Sequence, residues 1–184
     1  MDPIVPSALV ARDPETTTMN LLTPLLIMTP AATFAYNAST TRTTFLRETT
    51  VSATIKADEA IIWALLTNAS DHPRWNSTIA SLQGTFAPGE KIVLKSTLEA
   101  KRSFKLKVKE FQSAKKLVWG DGKVQRTFTL KNNSDGTVTF TMTERIGGLM
   151  FPMHAKYIPS FDDSFNTFAA DLKKQIDPIQ NKAL

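Results

Sequence analysis

The chain of 184 residues contains no cysteine and two histidines, His72 and His154. Without thiols there is no disulfide framework, no thiolate metal site and no cysteine nucleophile. The two imidazoles stand far apart with neither HxxxH nor HxH spacing, which argues against a zinc site. A GxSxG elbow, a P-loop glycine run and a dinucleotide fingerprint are also missing, so no motif-borne hydrolase, nucleotide or dehydrogenase chemistry is indicated. No metal and no cofactor are expected. The longest apolar stretch near the start, Leu21 to Met28, is too short to span a bilayer and is interrupted by Thr23 and Pro24, so stable membrane insertion is not expected.

Charge is unevenly informative. The formal net charge is +5 with a pI near 9.5, which raises the question of an anionic partner. Part of that charge sits on one strand, where Lys105, Lys107 and Lys109 alternate with Phe104, Leu106 and Val108. That alternation is the signature of a half-buried strand with a solvated outer face. No aromatic residues interleave with those lysines on the same face, so no nucleic-acid partner is expected.

Residues 1 to 42 are rich in Thr, Ala and Pro and show no sustained period, and they are read as an extension outside the fold. Within them, Met19 to Ala35 has an apolar run followed by small residues at Ala32 and Ala35, as an export or organelle-targeting signal would. No Lys or Arg closely precedes the run. The expected location is therefore the cytoplasm, with export as the alternative. Residues 43 to 184 form the expected domain. Thr43 to Ala57 reads as a strand with Val51, Ala53 and Ile55 on one face. Asp58 caps a helix to Thr67, with Ala60, Ile61, Ala64 and Leu65 at helical spacing and Trp63 beside them as core. Asp71 to Trp75 reads as a second short turn, with His72 at the surface.

Six further strands are expected: Ile79 to Phe86, Lys91 to Leu98, Ser103 to Gln112, Lys115 to Gly120, Lys123 to Asn132 and Thr137 to Ile146. Turn-forming residues separate them, so consecutive strands are antiparallel neighbours. A final helix opens after Ser160, with Asp163 completing a capping-box-like start, and ends at Pro178. Phe161, Phe165, Phe168, Ala169, Leu172 and Ile176 line one side of it.

This order resembles the SRPBCC superfamily, which includes START-type lipid carriers, the birch-pollen allergens and aromatic polyketide cyclases. The resemblance covers about Thr43 to Ile176. Local motifs agree: Ala57 to Trp63 in the first helix, PRWN at Pro73 to Asn76, LVWG at Leu117 to Gly120 and TERIGG at Thr143 to Gly148. The resemblance implies an α+β helix-grip fold, with seven antiparallel strands curved round a long C-terminal helix and two short helices after the first strand. A hydrophobic small molecule is the implied partner, lipid-like, aromatic or polyketide-like. A cyclase or dehydratase using the same cavity is the alternative, and a co-chaperone-like interaction domain is a third. Oligomeric state has no signal in the sequence.

Alternation places Val124, Arg126, Phe128 and Leu130 on one face, and Val138, Phe140, Met142, Glu144 and Ile146 on another. If Leu130 pairs with Val138, Arg126 and Glu144 become diagonal neighbours on the inner face. They then form either a strand-end salt bridge at a solvated mouth or the polar anchor of an apolar pocket. Trp75 and Trp119 are read as bordering the entrance, and Phe165 and Phe168 as its helix wall. Leu149 to Pro159, with Met153, His154 and Tyr157, is either a gate or a plug. If helical, it puts His154 and Tyr157 on one face towards the mouth.

Overall fold

A computed structural model describes residues 36–180. The segment Met19 to Ala35 lies outside the described residues. The elements are β1 (Ser39–Arg42), β2 (Leu46–Ile55), α1 (Glu59–Thr67), a 3-10 turn (Ala69–Asp71), α2 (His72–Trp75), β3 (Ile79–Gly84), β4 (Lys91–Ser96), β5 (Phe104–Gln112), β6 (Lys116–Gly120), β7 (Val124–Asn132), β8 (Val138–Gly147), α3 (Phe151–His154), a second 3-10 turn (Ala155–Tyr157) and α4 (Asp162–Gln180). One antiparallel sheet holds all eight strands in the order β1-β2-β8-β7-β6-β5-β4-β3. Strands β3 to β8 run as a meander, and β2 closes onto β8, so α1 and α2 occupy the one connection that must cross the sheet.

The six strands expected after the short helices are all present, with ends displaced by no more than two residues. The count of seven is corrected to eight. The additional strand, β1, falls within the segment read as an extension, and the strand expected from Thr43 breaks at a hairpin closed by Thr43 N–H donating to Leu46 O at 2.8 Å. Its sequence, STTR, has no apolar residue to alternate, so periodicity is blind to it. Backbone pairing and side-chain bonds hold it: Thr40 Oγ1 donates to Asp162 Oδ1 at 2.5 Å, and Ala38 N–H to Asn166 Oδ1 at 2.7 Å.

On the inner face, Val51, Ala53 and Ile55 of β2 meet Met142, Phe140 and Val138 of β8, and all six are buried. The outer face carries hydroxyl pairs, Thr50 with Thr143 at 3.0 Å and Ser52 with Thr141 at 2.9 Å. Asp58 caps α1, its Oδ1 accepting from Ala60 N–H at 2.7 Å. The buried face of α1 is Ile62, Trp63, Leu65 and Leu66, whereas Ala60 and Ala64 are exposed. The helix rotates to bury its larger side chains, because the stabilisation follows the apolar area removed from water. Trp63 packs edge-on against Phe111 with centroids 5.2 Å apart.

The long helix α4 buries Phe165, Phe168, Ala169, Leu172 and Ile176 and leaves Asp163 and Lys174 to solvent. Ser160 bonds Asp162, at 2.9 Å between side chains, rather than closing a box with Asp163. The helix also continues through Pro178 to Gln180. A proline in the last turn removes a single backbone donor there, a smaller loss than in a helix centre.

Candidate functional site

Register decides the geometry of the ionic pair. The β7–β8 ladder runs to Asn132 opposite Val138, two residues further than the turn residues imply, with Asn133 N–H donating to Thr137 O at 3.0 Å. Ser134 and Gly136 take the positive φ values the tighter loop needs, 61° and 78°. Arg126 therefore faces Glu144 directly, Phe128 faces Met142 and Leu130 faces Phe140. The expected diagonal arrangement is corrected accordingly. Arg126 Nε donates to Glu144 Oε2 at 2.6 Å and Nη2 reaches the same oxygen; the two side chains are 15% and 7% exposed. The guanidinium also lies 5.5 Å from the centre of the Phe165 ring on α4. A pair this enclosed costs desolvation that only mutual attraction and hydrogen bonding offset, so neither partner is stable there alone.

A third ionic residue, unforeseen from the sequence, completes the cluster. Arg47 and Thr49 continue the inward alternation of β2, Thr49 lies opposite Glu144, and Arg47 is 3% exposed. Arg47 Nη1 donates to the carbonyl of Ile158 at 3.2 Å, its guanidinium covers the Phe161 ring at 4.5 Å, and its Nη2 is buried without a hydrogen-bond partner among the described residues. Burial and the neighbouring Arg42 lower its proton affinity, while Glu144 and Asp162 raise it. Arginine remains charged under such opposing influences, given its high intrinsic basicity. The signal for Arg47 was the same alternation that identified Val51, Ala53 and Ile55, extended by two more steps.

The trough beneath α4 is filled by rings. Phe128 lies 4.8 Å from Trp119, 6.3 Å from Phe140 and 5.8 Å from Phe168, centroid to centroid. Trp119 also stacks on Phe86 at 5.1 Å. Trp119, Phe128, Phe140, Met142, Phe165 and Phe168 are all fully buried. The expected open cavity is thus occupied by the protein's own side chains, because five of these six are aromatic and interdigitate across the trough. Recesses that open to solvent lie elsewhere on the described residues. One, of about 330 Å³, lies between Thr78, Leu98 and the start of α4; another, of about 380 Å³, lies between Asn68, Ala69 and Phe86.

Trp75 and Trp119 sit inside the core rather than at an entrance. His72, expected at the surface, is fully buried, because α2 folds it between Leu66, Trp75 and Phe168. One ring nitrogen, Nε2, bonds Leu66 O at 3.0 Å, and burial pushes its pKa down to about 4. His72 Nδ1, Trp75 Nε1 and Asn76 Nδ2 are buried without hydrogen-bond partners among the described residues.

The segment after β8 folds back as a cover over Arg47, whose Nη1 donates to the Ile158 carbonyl of that segment. Gly147 allows it: a Cβ there would stand 2.7 Å from Phe45 O, so only glycine lets the strand end run beside the β1–β2 hairpin. Gly148 N–H then donates to Phe45 O at 3.0 Å. Phe151 is buried, but Leu149, Met150, Met153, His154 and Tyr157 are exposed. His154 and Tyr157 therefore stand in solvent on the cover. Among the described residues no group of three or more acidic or histidine side chains could hold a metal ion, and no helix is long and apolar enough to cross a membrane.

No protein-family model matches the chain, and no curated protein matches it. Solved structures do. A START superfamily protein from Mycobacterium smegmatis aligns over 72% of this chain and 98% of its own, with 13% identity and a TM-score of 0.54. CalU16 from Micromonospora echinospora aligns over 80% and 92%, with 12% identity and a TM-score of 0.52. DynU16, from the dynemicin biosynthetic locus, aligns over 70% of this chain and 46% of its own, with 16% identity and a TM-score of 0.53. The chain thus shares its fold with these three proteins, one of them of the START superfamily.

Proposed function

We propose that the chain binds an apolar small molecule carrying one polar group, held between the inner face of β7 and β8 and helix α4. The observation that carries this reading is the directly opposed Arg126–Glu144 pair, enclosed beside Phe128, Met142 and Phe140 of the sheet and Phe165 of α4. An ionic pair in such surroundings adds little to stability over an apolar replacement of the same volume. It does supply donors and an acceptor to orient a ligand, as the few polar groups of apolar sites do. Trp75, Trp119 and Phe168 form the deeper wall. Because rings fill the trough, entry requires the cover from Leu149 to Tyr157 to move, and its exposed Met153 and Tyr157 are adaptable surfaces for an irregular apolar ligand.

Of the four acid–base candidates for a cyclase-like reaction, His154 and Tyr157 stand in solvent and Arg126 and Glu144 are tied to each other, which favours carriage over turnover. Native mass spectrometry of the purified chain tests the reading. An apolar molecule that co-purifies and is released chemically unchanged is the expected result. An altered product after incubation with an extract fraction assigns the same trough to an enzyme, and absence of any bound species after exposure to lipid and aromatic libraries rejects binding altogether.

A further inference from the structure

The cluster under the cover holds more positive than negative charge. Arg126 pairs with the buried carboxylate of Glu144, and Arg47 lies within electrostatic reach of it. At the rim, Arg42 and Asp162 both act on Arg47, one of each sign, and leave the formal charge count of the cluster unchanged. Glu144 is engaged by Arg126 through two nitrogens. Among the described residues, the hydrogen-bond acceptor of Arg47 is the neutral Ile158 carbonyl, and its Nη2 is buried without one. An unpaired donor on a buried cation is costly, more so than on a neutral group, so a protein retains one where something else completes it.

We propose that Arg47 is the receptor for a carboxylate on the ligand, so that the molecule carried is an amphiphilic acid rather than a neutral apolar compound. This rests on the binding reading above and names its ligand class. A monoanion matches the excess of one positive charge, whereas a dianionic phosphate overshoots it. The fork geometry of a guanidinium matches a carboxylate when both terminal nitrogens are free. Nη2 is free already, and Nη1 becomes free when it releases Ile158 O, at the far end of the cover. The acid therefore competes with the cover for the same nitrogen, so binding and opening are one event. Phe161, stacked under the guanidinium, and Phe165, stacked under that of Arg126, receive the apolar body.

The test uses the full chain and two matched pairs of probes, anthracenecarboxylate with hydroxymethylanthracene and dodecanoate with dodecanol, in fluorescence and displacement titrations. The acid of at least one pair is expected to bind at least tenfold tighter than its alcohol. Arg47→Met is expected to abolish the preference, so that acid and alcohol bind that variant equally, while Arg47→Lys retains part of the preference. Should Arg47→Met not fold, the guanidinium resonances of Arg47 in the unmodified protein are to shift on adding acid and stay fixed on adding alcohol. Equal, measurable binding of acid and alcohol, or a preference that survives Arg47→Met, overturns the carboxylate assignment and leaves apolar binding standing. No binding of any of the four probes overturns both.

Discussion

Phe140 on β8 and Phe168 on α4 lie nearly parallel, 7° between planes with centroids 6.0 Å apart. This contact joins the sheet to the helix at the centre of the trough, and Phe168 extends it to Phe128, Trp75 and His72. Phe168→Ala is therefore expected to lower stability by about 3 to 5 kcal/mol, as deletion of a fully buried ring does. Urea denaturation measures it. A loss below about 1 kcal/mol places the ring on a site wall that ligand, not protein, normally fills.

Arg126 and Glu144 act as one unit because they share an enclosed hydrogen-bonded contact. Arg126→Met and Glu144→Gln are each expected to cost about 3 kcal/mol, since each strands a partner in apolar surroundings. The double replacement is expected to cost less than the sum, with a coupling of roughly 1 to 3 kcal/mol. Simple additivity in that cycle removes the pair from the site.

The buried His72 makes the fold sensitive to acid. Its pKa falls from 6.5 to about 4 on folding, so between those values the unfolded chain holds the extra proton and acidification favours unfolding. Stability contributed by the neutral ring is full above pH 6.5 and is lost as pH falls towards 4, by on the order of 3 kcal/mol. Chemical denaturation across that window measures the slope. His72→Gln should flatten it, and an unchanged slope assigns the acid sensitivity to other groups.

Strand β1 contributes through its pairing with β2 and the side-chain bonds of Thr40, and the residues just before it, Tyr36 and Ala38, pack against the core. A chain beginning at Thr43 loses Thr40–Thr49, Thr40–Asp162 and Ala38–Asn166. It is expected to unfold cooperatively still, with stability lower by roughly 1 to 3 kcal/mol at about 1 kcal/mol per bond. The bared β2 edge should also raise its tendency to self-associate. Thermal unfolding and light scattering check both, and a chain as stable and as monomeric as the parent removes β1 from the fold's support.

Elements whose side chains report their own environment were legible in the sequence. Alternation located β2 and the six strands from β3 to β8, and the 3.6-residue stripe of Phe165, Phe168, Leu172 and Ile176 located α4. The inward direction of Arg126 and Glu144 followed from the same period, because a strand residue shares its face with the residues two away. Tertiary structure alone decided the rest. β1 exists because an edge of β2 was available to pair, not because STTR prefers a strand. The two-residue extension of the β7–β8 ladder turned a diagonal pair into a facing one, since alternation fixes which face a residue takes but is indifferent to a shift of two. His72 and Arg47 are polar residues whose burial depends on what chain segments fold over them, α2 against α4 for the one and the cover with Phe161 for the other. Local sequence carries no record of such neighbours, because the free energy that tolerates a buried polar group resides in contacts made across the fold.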